Sequence, residues 1–165
     1  MYQNLNRFFI KIGYTWLAMI ATFAAFGQVD PIDSIKSLLP KAIGLDKYDL
    51  YYELTFQYLD VNKLELSEET ISQAQSIALK FGDSLKIIKT GRVKGQLLRR
   101  LDKTNESIAE LLIVLPLARR NKDVNSNYLS EYKDILNGLA IAYTFQANYD
   151  KALEYNFQSL VIRDS

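Results

Sequence analysis

One arrangement of small and large residues occurs three times along this chain at fixed spacing, and it constrains the fold more than any other feature. Thr55, Gly95 and Ala140 are the equivalent small residues. Three positions later stand Tyr58, Leu98 and Tyr143; twelve later, Ser67, Ser107 and Ala152; sixteen later, Ile71, Leu111 and Asn156; nineteen later, Ala74, Val114 and Ser159. Small residues let two helix backbones approach, and large residues one turn away fill the space beside the contact. A pattern of this kind specifies a helix paired with the helix that follows it, and its threefold recurrence specifies a row of such pairs.

Apolar spacing supports the same reading. From Pro31 onward apolar residues recur every three or four positions, as at Leu50, Leu54 and Tyr58 or Leu97, Leu98 and Leu101, and strand-like alternation is hard to find. Polar breaks fall at Asp60-Val61-Asn62, Phe81 to Ser84, Asp102 to Asn105, Arg120 to Asn127 and Ala147-Asn148, each short enough to join antiparallel helices. Gly82 reads as a helix-ending glycine, with Asp83 or Ser84 capping the next start. The prediction is an all-α chain with a lead-in over 28–46 and six helices near 47–60, 65–80, 84–101, 105–120, 127–146 and 149–163. They form the pairs 47–80, 84–120 and 127–163.

The third pair resembles the tetratricopeptide repeat family. Leu136, Leu139-Ala140, Tyr143, the turn Ala147-Asn148-Tyr149, then Ala152, Leu153 and Tyr155 follow that family's ladder of small and large residues. The resemblance covers residues 47–163, strongly in the third pair and weakly in the second, and implies an α-solenoid of about three hairpins. The sequence departs from the pattern in several places. The family repeat is about 34 residues, whereas these small residues lie 40 and 45 apart. Lys94 stands where leucine is usual, Asn156 where an aromatic is usual, and the closing proline is missing. Ser67-Glu68-Glu69 is open to a second reading, as a helix cap with acids in the first turn.

Ahead of the repeats, Arg7 and Lys11 precede an uncharged run from Ile12 to Val29. A basic head, a short apolar middle and Ala25-Phe26-Gly27 read as a secretory signal peptide over 1–27, cleaved before Gln28. An uncleaved membrane anchor is the competing reading, and a buried core helix a third. Export implies a periplasmic or extracytoplasmic location. Loss of Arg7 and Lys11 takes 20 basic residues to 18 against 19 acids, so the net charge passes from +1 to −1 and gives no global case for nucleic acid as partner. The order of parts resembles the amino-terminal sensory region of bacterial regulators whose output is a histidine kinase, a nucleotide cyclase or a helix-turn-helix domain. That resemblance implies a non-catalytic protein-interaction module, with any output domain outside this chain. A freestanding envelope scaffold is the alternative.

The chain contains neither cysteine nor histidine. Ser-His-Asp and Cys-His nucleophile systems, zinc sites built on those residues and His-ligated haem are therefore excluded. No phosphate-binding loop is present, no cofactor is implied, and no residue is assigned a catalytic or metal-binding role. Glu65, Glu68 and Glu69 read as a helix start rather than paired catalytic carboxylates. Gly91 and Gly95 mark either a close-packing site or two helix-weakening positions. Most of the tyrosines that crowd the first pair, Tyr48, Tyr51, Tyr52 and Tyr58, read as core residues with the hydroxyl at the edge, Tyr52 being the exception.

Lys89, Arg92, Gln96, Arg99 and Arg100 lie along one stripe of the helix over 84–101, with Lys86 and Lys103 at its ends. The family resemblance places a concave groove on the first helix of each pair. It would hold Asp49, Tyr52 and Phe56, then Lys89, Arg92, Gln96 and Arg99, then Asn137, Ile141 and Thr144. A basic centre between aromatics suits an acidic peptide or a carboxylate terminus. A charge run is more often a solvated helix face, and that reading stands beside the groove. At the other end, Phe157, Leu160 and Val161 have no following repeat in this sequence, which predicts a fragment that continues beyond Ser165 or a last helix that self-associates.

Overall fold

The first helix among the described residues, α1 (Pro31–Leu38), is set by local chemistry. Asp30 accepts a hydrogen bond from the Ile32 amide, Pro31 occupies the first turn, and Ile32 and Ile35 bury against Leu54 and Tyr58. Six further helices follow: α2 (Gly44–Asp60), α3 (Leu64–Phe81), α4 (Ser84–Arg100), α5 (Thr104–Asn121), α6 (Ser126–Phe145) and α7 (Tyr149–Arg163). This computed structural model describes residues 30–163, among which there is no strand. The signal segment over 1–27 lies outside the described residues. Among those described, no helix is long and apolar enough to cross a membrane.

The chain is all-α and built of helical hairpins: α2 with α3, α4 with α5, and α6 with α7. The stretch read as a lead-in carries α1, and the first hairpin begins at Gly44, three residues earlier than the spacing predicts. Ile32, Ile35 and Leu38 recur at threes, but eight residues make only about two turns, too short a run to stand out as a helix. α1 is held by its cap and by its seat on α2.

The three hairpin turns share one geometry. Asn62, Asp102 and Ala147, each seven positions after the small residue, take positive φ of 55°, 60° and 57°. The next amide then bonds back across the turn, from Lys63 to the Tyr58 carbonyl at 2.8 Å, from Lys103 to Leu98 at 2.9 Å and from Asn148 to Tyr143 at 2.9 Å. These bonds satisfy carbonyls that a helix end leaves open. Gly82, at φ 67°, ends α3, and it is Asp83 rather than Ser84 that caps α4, accepting from the Lys86 amide at 3.0 Å.

Inside each hairpin the spaced residues meet as expected. Ser67 donates to the Thr55 carbonyl at 3.2 Å and Ser107 to the Gly95 carbonyl at 2.7 Å. Ser67 is therefore a buried bridge within α3 and not a helix cap. Ala152, at the same position in the third hairpin, is buried without a hydroxyl. A Cβ on Gly95 would lie 2.6 Å from Leu111 Cγ, and one on Gly91 2.3 Å from Val114 Cγ1, so these glycines form a close-packing site. The main core joins the second and third hairpins through Ile88, Leu111, Val114, Ile135, Leu136 and Leu139. Each such side chain, fully buried, contributes about 2 kcal/mol.

Lys94 also has its explanation here. It donates to Gln75 at 3.1 Å and lies 3.5 Å from Glu110, while Gln75 donates to Glu110, so a polar bridge joins α3, α4 and α5 where the family pattern has leucine. Asn156 departs in the other direction and stays exposed, unlike buried Ile71 and Leu111.

Candidate functional site

The first helices of the hairpins, α2, α4 and α6, together present the ten residues expected to face a groove. Asp49, Phe56, Asn137, Ile141 and Thr144 are exposed, and Tyr52, Lys89, Arg92, Gln96 and Arg99 are half-buried. None is in the core, because three- and four-residue steps keep them on the side of each helix away from its hairpin partner.

On α2 the aromatics form a ladder. The Tyr48 and Tyr52 rings stack at 5.7 Å between centroids, and Tyr52 meets Phe56 edge-on at 5.2 Å. Burial raises the Tyr52 hydroxyl above its ordinary pKa, an effect that Arg92 nearby partly offsets. Tyr48 is shifted further in the same direction, by burial first and by the charges of Tyr52, Asp49, Asp83 and Glu131. Its hydroxyl is buried and has no hydrogen-bond partner in the protein, so the expectation of a hydroxyl at the core edge is corrected for Tyr48.

The basic stripe of α4 is not a bare cationic surface. Lys86 pairs with Asp49 of α2 at 2.6 Å, and its ammonium sits 4.0 Å from the Tyr48 ring centroid. Arg92 donates to Glu131 of α6 at 2.5 Å, lies 3.9 Å from Asp134, and reaches Gln96 at 3.1 Å. Burial works against the Arg92 charge, but the Glu131 hydrogen bond and charge outweigh it and hold the guanidinium more firmly protonated. Lys103 turns away to Glu68 at 2.8 Å, and Glu65 and Glu69 of the same acidic cluster are exposed. The stripe thus splits into cations that fasten α4 to its neighbours and cations that do not. Among the described residues Lys89 and Arg99 have no ion-pair partner. Arg99 lies over the Phe145 ring at 5.5 Å.

Glu131, Asp134 and Phe145 lie beside the expected residues, and spacing alone does not bring them forward. Stepping back from Asn137 in threes reaches Asp134 and Glu131, so the helical period contained them; nothing in the sequence says that α6 lies close enough to α4 for Glu131 to meet Arg92. No group of three or more acidic, histidine or cysteine side chains among the described residues is placed to hold a metal.

No protein-family model and no curated protein matches this chain. Among solved structures it is similar to the crystal structure of BtubC (BKLC) from P. vanneervenii, with a TM-score of 0.69 and 16% identity over 81% of this chain. The chain spans 56% of the length of that protein. Identity this low speaks to the fold alone: an all-α arrangement of helical hairpins shared with a longer protein.

Proposed function

We propose that this chain is a non-catalytic protein-interaction module of tetratricopeptide-like hairpins, whose α2, α4 and α6 face takes an extended acidic segment of a partner protein. The observation that carries this reading is the state of the cations on α4. Lys86 and Arg92 are neutralised by neighbouring helices, while Lys89 and Arg99 remain for a ligand, with Tyr52 and Phe56 to one side and Phe145 to the other. Ten residues along a helix separate them by about 15 Å, the reach of four or five residues of extended peptide. Charge-assisted hydrogen bonds from two carboxylates contribute about 1.5–3 kcal/mol each when shielded. The basic head and apolar run at the amino terminus support a place outside the cytoplasmic membrane, in the sensory part of a bacterial signal-transduction protein whose output lies in other segments.

The test is fluorescence anisotropy with labelled twelve-residue peptides, Asp/Glu-rich, neutral and Lys-rich. The acidic set should bind most tightly, and Lys89→Glu with Arg99→Glu should weaken it about tenfold or more. Lys80→Glu, on the exposed side of α3, should leave it unchanged. Equal binding by wild type and the double variant removes the reading. Arg92 is left alone because its loss would strand Glu131.

A further inference from the structure

The outer face of α7 differs from its counterparts in the earlier hairpins. In α3 and α5 the positions thirteen and twenty after the small residue meet the following hairpin. Glu68 accepts from Lys103 and Gln75 from Lys94, while Ile108 and Leu115 pack into the core shared with α6. The same positions in α7 are Leu153 and Leu160, 57% and 41% exposed, and Phe157 and Val161 are exposed beside them. Next to Phe157 and Val161 a cavity of about 520 Å³ opens toward α5 and α6, bordered by Arg119, Lys122 and Tyr132.

We infer that this face pairs with the same face of a second copy of the chain, α7 running antiparallel to α7. A two-fold contact requires a surface complementary to itself, and charge placement supplies one. The amino-terminal half of α7 carries Asp150 and Glu154, both exposed, while Lys151 between them lies over the Tyr143 ring at 4.9 Å. Its carboxyl-terminal half lies beside Arg119 of α5 and Lys122 just past the end of α5, with Arg119 donating to Gln158 at 3.3 Å and Lys122 pairing at 2.8 Å with its exposed neighbour Asp123. A two-fold axis at Phe157 sets the two Phe157 side chains together and lays Leu153 of each copy against Val161 of the other. It also carries Asp150 and Glu154 of each copy to the Arg119 and Lys122 rim of the other. A parallel arrangement would set acid against acid. Four apolar side chains make a small interface, so the pairing is weak and concentration-dependent.

The absence of cysteine from the natural chain makes a direct test possible. Phe157→Cys in the full-length protein, oxidised mildly at high micromolar concentration, should give a disulfide-linked dimer. Ser76→Cys, on the exposed side of α3, should not. Adding Glu154→Lys to Phe157→Cys should cut the covalent dimer about tenfold by setting like charges together, and further adding Lys122→Glu should restore it. Helicity by circular dichroism checks that each variant is folded. No dimer at Phe157, equal dimer at Ser76, or a Glu154→Lys defect that Lys122→Glu does not reverse overturns the pairing. If another helical segment covers α7 instead, Phe157→Cys stays monomeric and the inference fails.

Discussion

Arg92 on α4 and Glu131 on α6 form a 2.5 Å hydrogen-bonded ion pair whose side chains are only 15% and 10% exposed. The pair fastens the second hairpin to the third on the very face proposed to bind. Removing one partner leaves a shielded charge alone, so Arg92→Met should lower stability by about 2–4 kcal/mol. The double variant Arg92→Met with Glu131→Leu should lose less than the single, since no charge is stranded. Urea unfolding of the singles and the double measures the coupling. Additive losses would show that the two residues act independently.

Close approach of α4 and α5 at Gly95 gives a second expectation, because two effects of one methyl group oppose each other. Alanine favours a helix over glycine by about 1 kcal/mol. Its Cβ would, however, stand 2.6 Å from Leu111 Cγ, which is 1% exposed and packed on all sides. Overpacking of that kind costs about 1–3 kcal/mol, so Gly95→Ala should destabilise on balance. Leu111→Val should recover part of the loss in the Gly95→Ala background while costing stability by itself. A Gly95→Ala protein with a raised melting temperature would mean that Leu111 moves aside freely.

The contrast between Gly95 and Arg92 shows which parts of this molecule were readable in advance. Gly95, Ser107 and Leu111 are tied by spacings within one hairpin, and helix periodicity alone brings them together. The turns at Asn62, Asp102 and Ala147 fall within the polar breaks, although nothing local announces their shared positive φ. Arg92 and Glu131 belong to different hairpins, and their meeting depends on how one hairpin leans on the next. That lean is set by bulky contacts such as Ile88 against the α6 core, for which no local spacing rule exists. The stripe on α4 was therefore visible as a stripe, while its division into fastened and unfastened cations was not. α1 is hard to read for a simpler reason: Ile32, Ile35 and Leu38 give only about two turns of pattern, with no repeat partner elsewhere in the chain.

Tyr48 carries a third prediction. It is 2% exposed, and its hydroxyl has no protein hydrogen-bond partner. An unsatisfied buried polar group costs about 1–3 kcal/mol, so Tyr48→Phe should stabilise the fold by about 1 kcal/mol. The two proteins should also differ in alkali. The unfolded hydroxyl titrates near the ordinary value of 10.0 and the folded one higher. The stabilising contribution of the protonated group is complete below pH 10 and is lost as pH rises above it, with a slope approaching about 1.4 kcal/mol per pH unit. Stability profiles from neutral pH into alkali should therefore fall more steeply for wild type than for Tyr48→Phe. Parallel profiles would mean that Tyr48 titrates alike in both states.

The three hairpin turns share one backbone geometry but not one residue type, and that mismatch yields the last prediction. Asn62 and Asp102 are of the residue types that enter the left-handed region most readily after glycine, whereas Ala147, at φ 57°, is not. A non-glycine residue there carries about 1–2 kcal/mol of strain, and glycine returns about 0.5–1 kcal/mol of that through its greater freedom in the unfolded chain. Ala147→Gly should thus stabilise by up to about 1 kcal/mol, a rise of up to about 2–4 °C in Tm for a chain of this size. Ala147→Val, branched at Cβ, should do the opposite. Thermal unfolding of both decides the matter: a lower Tm for Ala147→Gly than for wild type would mean that the backbone at Ala147 bears no strain to relieve.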